Sequence, residues 1–477
     1  MTTFKNAANN TQIESRTENG MVTYTSSLNA CVDLFFTIGA SRGKNVTAQF
    51  ERAFQENPEL ATKILLWARD VRGGAGERQI FRDMLLNIEE NHNEYLVPVM
   101  KAVPEIGRWD DLLVLKTDAA QTVAFDMIGA ALEADDALCA KWMPRKATKT
   151  NPMAAKIRTH LGWSPKRWRK TLSSLTEVVE TNMCAQDWDN INFNHVPSLA
   201  SSRYQKAFDR NAPVAYGAYK DALVRDDGTA KVNAGAVYPY DVLKPAISNG
   251  WGRHTVANKE VIKAQWEALP NYLGGEAILP MVDVSGSMYC EAAGNLSCMD
   301  VAVSLGLYIA DKNTGAFKDM FMTFHSSPKI ETLGGDILAK VRQIQDASWG
   351  MSTNIEAAFS AVLKVATANQ VAQDEMPEFI LILSDMEFDC CRNAGQSAIQ
   401  MMEAKFEKAG YKLPRIVFWN LNARNPNNKP VRFDKAGTAL VSGFSPAIMK
   451  SILAAEDFTP EAVMLSTVDI PRYDIFS

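Results

Sequence analysis

Hydrophobic side chains between residues 28 and 140 recur at the spacing of amphipathic helices. Within the segments 61–68 and 81–88, apolar residues fall three and four positions apart, which places them on one face of a helix. Asn57-Pro58, the glycines of 73–76 and the segment 103–107 interrupt the pattern. It therefore predicts helices of roughly 10–16 residues joined by short turns. Because the sequence has no strict period, such stacked helix pairs indicate a degenerate, HEAT-like repeat.

The pattern changes at Glu276, where short runs of consecutive apolar residues begin to alternate with amphipathic segments. A strand buried on both faces carries apolar residues throughout, so each run predicts a strand. The predicted strands are 277–283, 321–324, 378–384, 415–421 and 438–441, and the predicted helices include 299–309, 354–368 and one from Ser445. The alternation predicts an α/β domain, with a parallel sheet covered by helices on both faces.

Three segments follow from this change of pattern. Residues 1–27 are rich in Thr, Asn and Ser, and we expect them to form a flexible N-terminal arm. Residues 28–275 are predicted to form an all-α helical-repeat module, which contains more loops after residue 140. Residues 276–477 are predicted to form the α/β domain with a C-terminal tail. A chain of 477 residues is long enough for two or three cores.

The net charge of −5 conceals an uneven distribution along the chain. Residues 1–140 and 271–477 each carry a net charge of −7, whereas residues 141–270 carry +9. Within 141–170 there are ten Lys or Arg, no acidic residue and three interleaved tryptophans. Clustered cations neutralise phosphates and exposed aromatic rings stack on unpaired bases, so this segment predicts a polyanion site. The alternative is a solvated helix face with tryptophans in the core.

Other features of the sequence exclude whole classes of protein. No apolar run reaches the roughly 18 residues that a membrane span needs, and the N-terminus lacks the apolar region of a secretory signal. The seven cysteines have no framework spacing and share no ligand spacing with the five histidines. We therefore expect a cytoplasmic protein with free thiols, no membrane association and no zinc site.

A cluster of oxygen-bearing side chains follows the predicted strands of the α/β domain. Asp283, Ser285 and Ser287 form a D-x-S-x-S motif after the first strand, Thr353 precedes a helix, and Asp385 ends another strand. In an open α/β sheet these loops meet at the carboxyl ends of the strands. Carboxylate and hydroxyl oxygens suit magnesium, calcium or manganese. The motif predicts a divalent-cation site, and the alternative is a structural turn without a metal.

The order and spacing of these three segments resemble a von Willebrand factor type A domain over residues 276 to about 455. The resemblance implies that Ser285, Ser287 and Thr353 contact a divalent cation, expected to be magnesium, which Asp283 and Asp385 hold directly or through water. It also implies that an acidic residue of a protein partner completes the coordination. The loop before Thr353 reads Gly-Met-Ser-Thr, where the family usually has Gly-Gly-Thr.

Residues in the basic segment resemble the RNA-contacting stretch of the TROVE module, which defines the Ro-like group of proteins and its bacterial and phage members. The resemblance includes Lys156, Arg158, Gly162-Trp163-Ser164, Lys166, Arg169 and Leu172-Ser173, with further similar motifs at 68–78, 107–113, 196–198 and 203–208. The family implies a ring of HEAT-like helix pairs closed by a type A domain. Single-stranded RNA ends enter the ring, and structured small RNAs bind its outer basic surface.

Together these observations predict a non-catalytic RNA-binding protein of the Ro type, expected to be a monomer. Its RNA would be a small non-coding or misfolded RNA with a single-stranded 3′ end. One alternative is a metal-dependent protein-interaction scaffold that binds no RNA. A third hypothesis is a cation-dependent nuclease. The candidate RNA-binding residues are Lys141, Arg145, Lys146, Lys149, Lys156, Arg158, Lys166, Arg167, Arg169, Lys170, Arg203 and Lys206. Arg42 and Lys44 are weaker candidates for phosphate contact.

Overall fold

The computed structural model describes most of the chain and begins with a small hairpin. The described residues are 13–148, 152–176, 178–225, 227–235, 237–247, 258–293, 296–324, 327–346, 352–392 and 395–475. Strands β1 (Glu14–Arg16) and β2 (Val22–Tyr24) pair antiparallel. The hairpin is held to the C-terminal part of the chain, since Tyr24 and Lys429 exchange backbone hydrogen bonds of 3.0 and 2.8 Å. This part of the predicted arm is therefore extended and hydrogen-bonded.

The described residues between 30 and 267 are mostly helical, in agreement with the prediction of a helical module. The helices are α1 (Ala30–Ile38), α2 (Thr47–Glu56), α3 (Pro58–Arg69), α4 (Arg78–Asn91), α5 (Asn93–Ile106), α6 (Asp118–Glu133), α7 (Ala137–Trp142), α8 (Met153–His160), α9 (Pro165–Leu175), α10 (Val179–Cys184), α11 (Ser198–Asn211), α12 (Pro213–Arg225), α13 (Pro239–Ile247) and α14 (Lys259–Glu267). None of the helices that the model describes is long and apolar enough to cross a membrane.

The C-terminal part is an α/β unit built on a six-stranded sheet. Its strands are β3 (Ile278–Asp283), β6 (Met320–Phe324), β7 (Lys329–Thr332), β8 (Phe379–Ser384), β9 (Arg415–Asn420) and β10 (Thr438–Ser442). A small hairpin, β4 (Glu291–Ala293) and β5 (Leu296–Ser297), follows β3. The helices are α15 (Cys298–Lys312), α16 (Ile337–Asp346), α17 (Ile355–Ala368), α18 (Ala398–Ala409), α19 (Met449–Ala454) and α20 (Pro460–Val468).

The sheet is mixed, and its order is β10-β9-β8-β3-β6-β7. All neighbouring strands are parallel except the edge strand β7, which pairs antiparallel with β6. Every residue of β3 and β8 is buried, because helices cover both faces of the sheet centre. β3 and β8 are neighbours in register from Ile278–Phe379 to Val282–Leu383. Their carboxyl ends, and hence the loops after Asp283 and Ser384, lie side by side.

The helical and α/β parts share one hydrophobic core, which includes residues from Met21 to Tyr473. Helix α1 packs against β10, where Ser442 Oγ donates to the Phe35 carbonyl at 2.6 Å. Gly39, just after α1, makes this approach possible: a Cβ there would lie 2.9 Å from the Ser442 carbonyl. Residues of α10–α12 and Val261 form a second, smaller core around Phe193, Phe208 and Tyr216.

The charged turn motifs of the helical part are paired within the protein. Asp111 is fully buried, accepts from Arg69 Nε at 2.8 Å and from Arg82 Nε at 2.7 Å, and also accepts from the Arg108 backbone N–H. Arg69 is 1% exposed. Because these charged side chains form ion pairs with one another, the segments 68–78 and 107–113 have a structural role and connect helices α3, α4 and α5.

Candidate functional site: an oxygen-lined crevice and a basic helical surface

The crevice at the sheet edge is built around Asp283, the last residue of β3. Its carboxylate is fully buried, and one oxygen accepts from the Ser285 backbone N–H at 2.9 Å. The other oxygen accepts from Ser384 Oγ at 2.6 Å, which ties the end of β3 to the end of β8. The carboxylate is therefore held rigidly by the two strands that position it.

Asp385, directly after β8, is the second carboxylate of the crevice and is 3% exposed. Its Oδ1 accepts from the Glu387 backbone N–H at 3.2 Å. Its Oδ2 is buried and has no hydrogen-bond partner among the described residues. The next residue, Met386, is buried with φ at 67°, a left-handed conformation that costs a branched or long side chain energy. An unsatisfied buried oxygen beside a strained backbone is typical of a ligand site.

The predicted hydroxyl ligands lie on the loops around these carboxylates. Ser285 and Ser287 place their Oγ atoms 3.0 Å apart at the start of the 3-10 helix Gly286–Tyr289. Thr353 is buried just before α17, and its carbonyl accepts from the Asp389 backbone N–H at 3.0 Å, which joins it to the loop after Asp385. The structure thus brings all three predicted segments to one end of the sheet.

Burial and mutual repulsion shift the protonation of this carboxylate pair. Burial raises the pKa of Asp283, and the nearby Asp385 charge raises it further, against the hydrogen bonds from Ser384 and Ser285. Burial also raises the pKa of Asp385, against the Ser287 hydroxyl and the positive charge of Lys44. A bound cation would favour the ionised form of both groups and so compete with protons for the site.

The donor set of the crevice fits a hard divalent cation. Among the described residues, no group of three or more His, Cys, Asp or Glu side chains could hold a metal ion. A cation here would need Asp283 and Asp385 together with the hydroxyls of Ser285, Ser287 and Thr353, which is an oxygen-only set. The unsatisfied Asp385 Oδ2 is the atom best placed to gain from such a cation.

Lys44 is a neighbour of the crevice that the sequence does not predict. It was expected to contact phosphate, but its ammonium donates to Asn422 Oδ1 and interacts with the Asp385 charge. Burial lowers the pKa of Lys44. Arg42, the other weak phosphate candidate, instead pairs with the buried Glu77 at 2.6 Å. Both side chains have partners that are distant in sequence, and their contact with phosphate stays a prediction.

The basic segment lies on helices α7–α9 and the loop after α7, and its exposed cations are termed the basic surface. Trp168 Nε1 donates to the Pro144 carbonyl at 3.1 Å, and Arg145 donates to Ser173 at 3.3 Å. These bonds hold the loop after α7 against α9 and place Arg145 beside Ser173. The exposed members of this basic surface are Lys141, Arg145, Lys146, Lys156, Lys166, Arg167, Arg169 and Lys170, with Arg158 half-buried.

Two predicted residues lie on a different helix. Arg203 and Lys206 are exposed on α11, which belongs to the second core rather than to the core beneath α9. Lys149 lies outside the described residues. The predicted RNA-binding cations that the structure describes are therefore divided between α7–α9 and α11.

The tryptophans of the basic segment are not free to stack on bases. Trp163 and Trp168 are 5% and 2% exposed and pack edge to face at 6.1 Å. Trp142 is half-buried beneath Arg108, whose guanidinium lies 3.3 Å from the ring centre. Arg167 lies over Trp163 at 4.1 Å. The guanidinium groups of Arg108 and Arg167 pack over the tryptophan rings. RNA binding at this surface would therefore depend on charge and hydrogen bonds rather than on base stacking.

The fold and site thus define a helical protein joined to an α/β unit with an oxygen-lined crevice at its strand ends. Residues 17–115 and 116–276 match the family model "Domain of unknown function (DUF2828)", and residues 277–470 match "Domain of unknown function (DUF7788)". The DUF2828 match covers more than half of the chain, and the protein belongs to this family.

Two individual proteins are similar over nearly the whole chain. "Uncharacterized protein L728" of Acanthamoeba polyphaga mimivirus is 29% identical over 510 residues, which covers 95% of this chain and 87% of the relative. The crystal structure of the Ro (RSR) protein of Deinococcus radiodurans aligns with a TM-score of 0.40 and 12% identity, covering 93% of this chain and all of the other. A likeness at this level shows neither a shared activity nor a shared ligand.

Proposed function

We propose that the protein is an RNA-binding ribonucleoprotein component that holds RNA on the basic surface of α7–α9. The observation that carries the proposal is the exposure of Lys166, Arg167, Arg169 and Lys170 in the first turns of α9. Cations near a helix N-terminus lie beside the positive end of its dipole, which opposes folding. A bound phosphate would relieve this repulsion and accept hydrogen bonds from the same side chains.

In this proposal the helical part is a HEAT-like repeat module of the Ro type, and the α/β part is a von Willebrand factor type A domain. Support comes from the sequence motifs that resemble both modules and from the oxygen-lined crevice at the strand ends. The RNA would be a small non-coding or misfolded RNA with a single-stranded 3′ end. Because Trp163 and Trp168 are buried, most contacts would be made to the RNA backbone.

Reversing the four α9 cations should weaken RNA binding strongly. In Lys166→Glu, Arg167→Glu, Arg169→Glu, Lys170→Glu, four phosphate contacts become repulsions, and we expect an affinity loss of about 100-fold or more at low salt. The dependence of log affinity on log salt should also become shallower by about three units for a single strand. Fluorescence anisotropy with a hairpin RNA carrying a single-stranded 3′ tail, at two salt concentrations, measures both effects.

A matched control separates this surface from the total charge of the protein. The control variant reverses four exposed cations of the α/β part, Arg342, Lys364, Lys408 and Lys412, and changes the net charge by the same amount. It should keep wild-type affinity and salt slope. Unchanged RNA affinity in the α9 variant, or an equal loss in the control, would rule out the basic surface as the RNA site.

We propose in addition that the crevice binds a divalent cation, expected to be magnesium, and captures an acidic residue of a protein partner. The unsatisfied buried Oδ2 of Asp385 favours this second role. When bound, the cation would supply positive charge for a partner carboxylate. Asp283 and Asp385 would hold it, Ser285, Ser287 and Thr353 would orient it, and the rigid strand ends would keep these groups in place.

Magnesium chloride alone should stabilise the protein against thermal unfolding. A cation that binds only the folded chain adds about 2.7 kcal/mol at 100 times its dissociation constant. Asp385→Asn should abolish this shift, because it removes the charge of the unsatisfied oxygen. Asp457→Asn, which changes an exposed aspartate, should retain it. Equal magnesium shifts in the two variants would exclude Asp385 from the site.

The proposal assigns no catalytic step to the crevice. One cation held largely by hydroxyls activates water less effectively than the carboxylate-rich two-metal sites of nucleases. Incubation of labelled RNA with the protein and magnesium is therefore expected to leave the RNA intact. Cleavage that disappears in Asp385→Asn would indicate instead that the protein is a cation-dependent nuclease.

A further inference from the structure

Two cysteines face each other beside the crevice, across the small hairpin β4–β5. Cys290 precedes β4 and Cys298 follows β5, and the Cys298 backbone N–H donates to the Cys290 carbonyl at 3.0 Å. Their Sγ atoms lie 3.3 Å apart. Cross-strand pairing therefore fixes both the spacing and the direction of the two thiols, although eight positions separate them in the sequence.

The two thiols of this pair differ in their exposure. Cys290 is half-buried, so a small reagent can reach it, whereas Cys298 is 1% exposed. Asn422 Nδ2 donates to Cys290 Sγ at 2.9 Å and so helps to fix the position of this sulfur. The pair thus combines an accessible sulfur with a shielded one that can attack it.

The other cysteines lack this arrangement. Cys31 and Cys139 are buried, with their Sγ atoms 3.7 and 3.9 Å from the Ala53 and Ile128 carbonyls. Cys184 is exposed, and the neighbours Cys390 and Cys391 are adjacent in sequence, where a disulfide would be strained. Within the described part of the chain, Cys290 and Cys298 are the two thiols held sulfur to sulfur by secondary structure.

We propose that Cys290 and Cys298 form a reversible dithiol–disulfide pair that is oxidised by a low-molecular-weight disulfide such as glutathione disulfide. The Cys290 thiolate attacks one sulfur of the reagent, whose S–S bond breaks to release the first thiol and leave a mixed disulfide on Cys290. Cys298 then attacks Cys290 Sγ, and the second thiol leaves. The protein loses two electrons and two protons, and the reagent gains both as two thiols.

The geometry favours a reversible modification site over a disulfide that stabilises the fold. Closing the bond brings the two sulfurs from 3.3 Å to about 2.05 Å, which small side-chain rotations can supply. The closed loop is short, so the bond constrains the unfolded chain little. Because Cys290 N also donates to the Ser287 carbonyl at 3.3 Å, the bond would tighten the segment that carries the crevice hydroxyls.

The test is a redox titration of the reduced full-length protein in glutathione buffers of increasing oxidised fraction. After alkylation of the remaining thiols, peptide mass spectrometry should find Cys290 joined to Cys298 with the loss of two hydrogens. In Cys298→Ser, Cys290 should instead accumulate as a mixed disulfide with glutathione. In Cys290→Ser, Cys298 should stay reduced, because it is shielded. Cys184→Ser is the control and should keep the Cys290–Cys298 bond.

Several outcomes would overturn the proposal. One is a protein in which Cys184 and Cys390 carry glutathione while Cys290 and Cys298 are recovered as alkylated thiols. Another is a bond between Cys390 and Cys391 alone. Circular dichroism of the two serine variants checks that each is folded, so that a missing bond reports on chemistry. If one serine variant fails to fold, the same titration of Cys390→Ser still tests the proposal, because this variant keeps both Cys290 and Cys298.

Discussion

Asp111→Ala is expected to lower the free energy of unfolding by about 3–5 kcal/mol, because it removes the buried carboxylate that is hydrogen-bonded to Arg69. Arg69 is 1% exposed and Asp111 is fully buried, and the two are joined at 2.7–2.8 Å. Asp111 also accepts from Arg82. Removing this acceptor therefore leaves the buried Arg69 guanidinium without its carboxylate hydrogen bond and Arg82 with one carboxylate partner, Asp110, instead of two. Urea denaturation followed by tryptophan fluorescence measures the loss.

The neighbouring aspartate provides the control for this expectation. Asp110 pairs with Arg108 and Arg82 but is 21% exposed, so water can replace its contacts. Asp110→Ala should cost less than about 1 kcal/mol. If both variants lose the same small amount, water reaches Arg69 and the joint between α3 and the turn before α6 is not a buried ion network.

Without a cation, the protein is expected to become less stable as the pH rises above about 4, the ordinary pKa of a carboxyl group. The pKa values of Asp283 and Asp385 are raised in the folded chain. The folded state then binds more protons than the unfolded state over this range, so the free energy of unfolding falls as these groups ionise. The loss should amount to a few kcal/mol and end once the raised pKa values are passed.

Chelator-treated protein, denatured with urea at a series of pH values, measures this slope. Asp283→Asn should make it shallower and make the cation-free protein more stable than wild type at high pH, because the buried charge is gone. Asp374→Asn, at an exposed position, should leave the slope unchanged. With magnesium added to wild type, stabilisation by the cation should grow with pH. A wild-type slope as flat as that of Asp283→Asn would show that the two carboxylates ionise without cost.

Sequence alone predicts the five parallel strands of the sheet but not its antiparallel edge strand. The strands β3, β8 and β9 are uninterrupted apolar runs, and their predicted positions agree with the structure to within a residue or two. Strand β7, Lys329–Thr332, is a half-exposed edge strand with mixed polarity, so no run marks it. It makes the sheet mixed rather than wholly parallel, because it pairs antiparallel with β6.

The candidate crevice is predicted from sequence where its residues lie at strand ends or just before a helix. Asp283, Ser285 and Asp385 lie at or after the ends of buried strands, and the order of a parallel sheet brings such positions together. Lys44 and Asn422 come from loops 378 positions apart, and no local pattern predicts that they meet. The burial of Trp163 and Trp168 is likewise a property of packing, since tryptophan among cations suits both a stacking platform and a core.

The packing of α1 on β10 has a consequence for how the protein is made. The Phe35 carbonyl and Ser442 Oγ are 407 positions apart, so α1 leaves the ribosome long before its sheet exists. Helices α2 and α3 can cover part of α1 early, but the apolar surface that packs on β10 must wait exposed or in provisional contacts until almost the whole chain is synthesised. A chain that stops before residue 438 would lack this strand, and even a late truncation should yield an aggregation-prone product rather than a shortened, working protein.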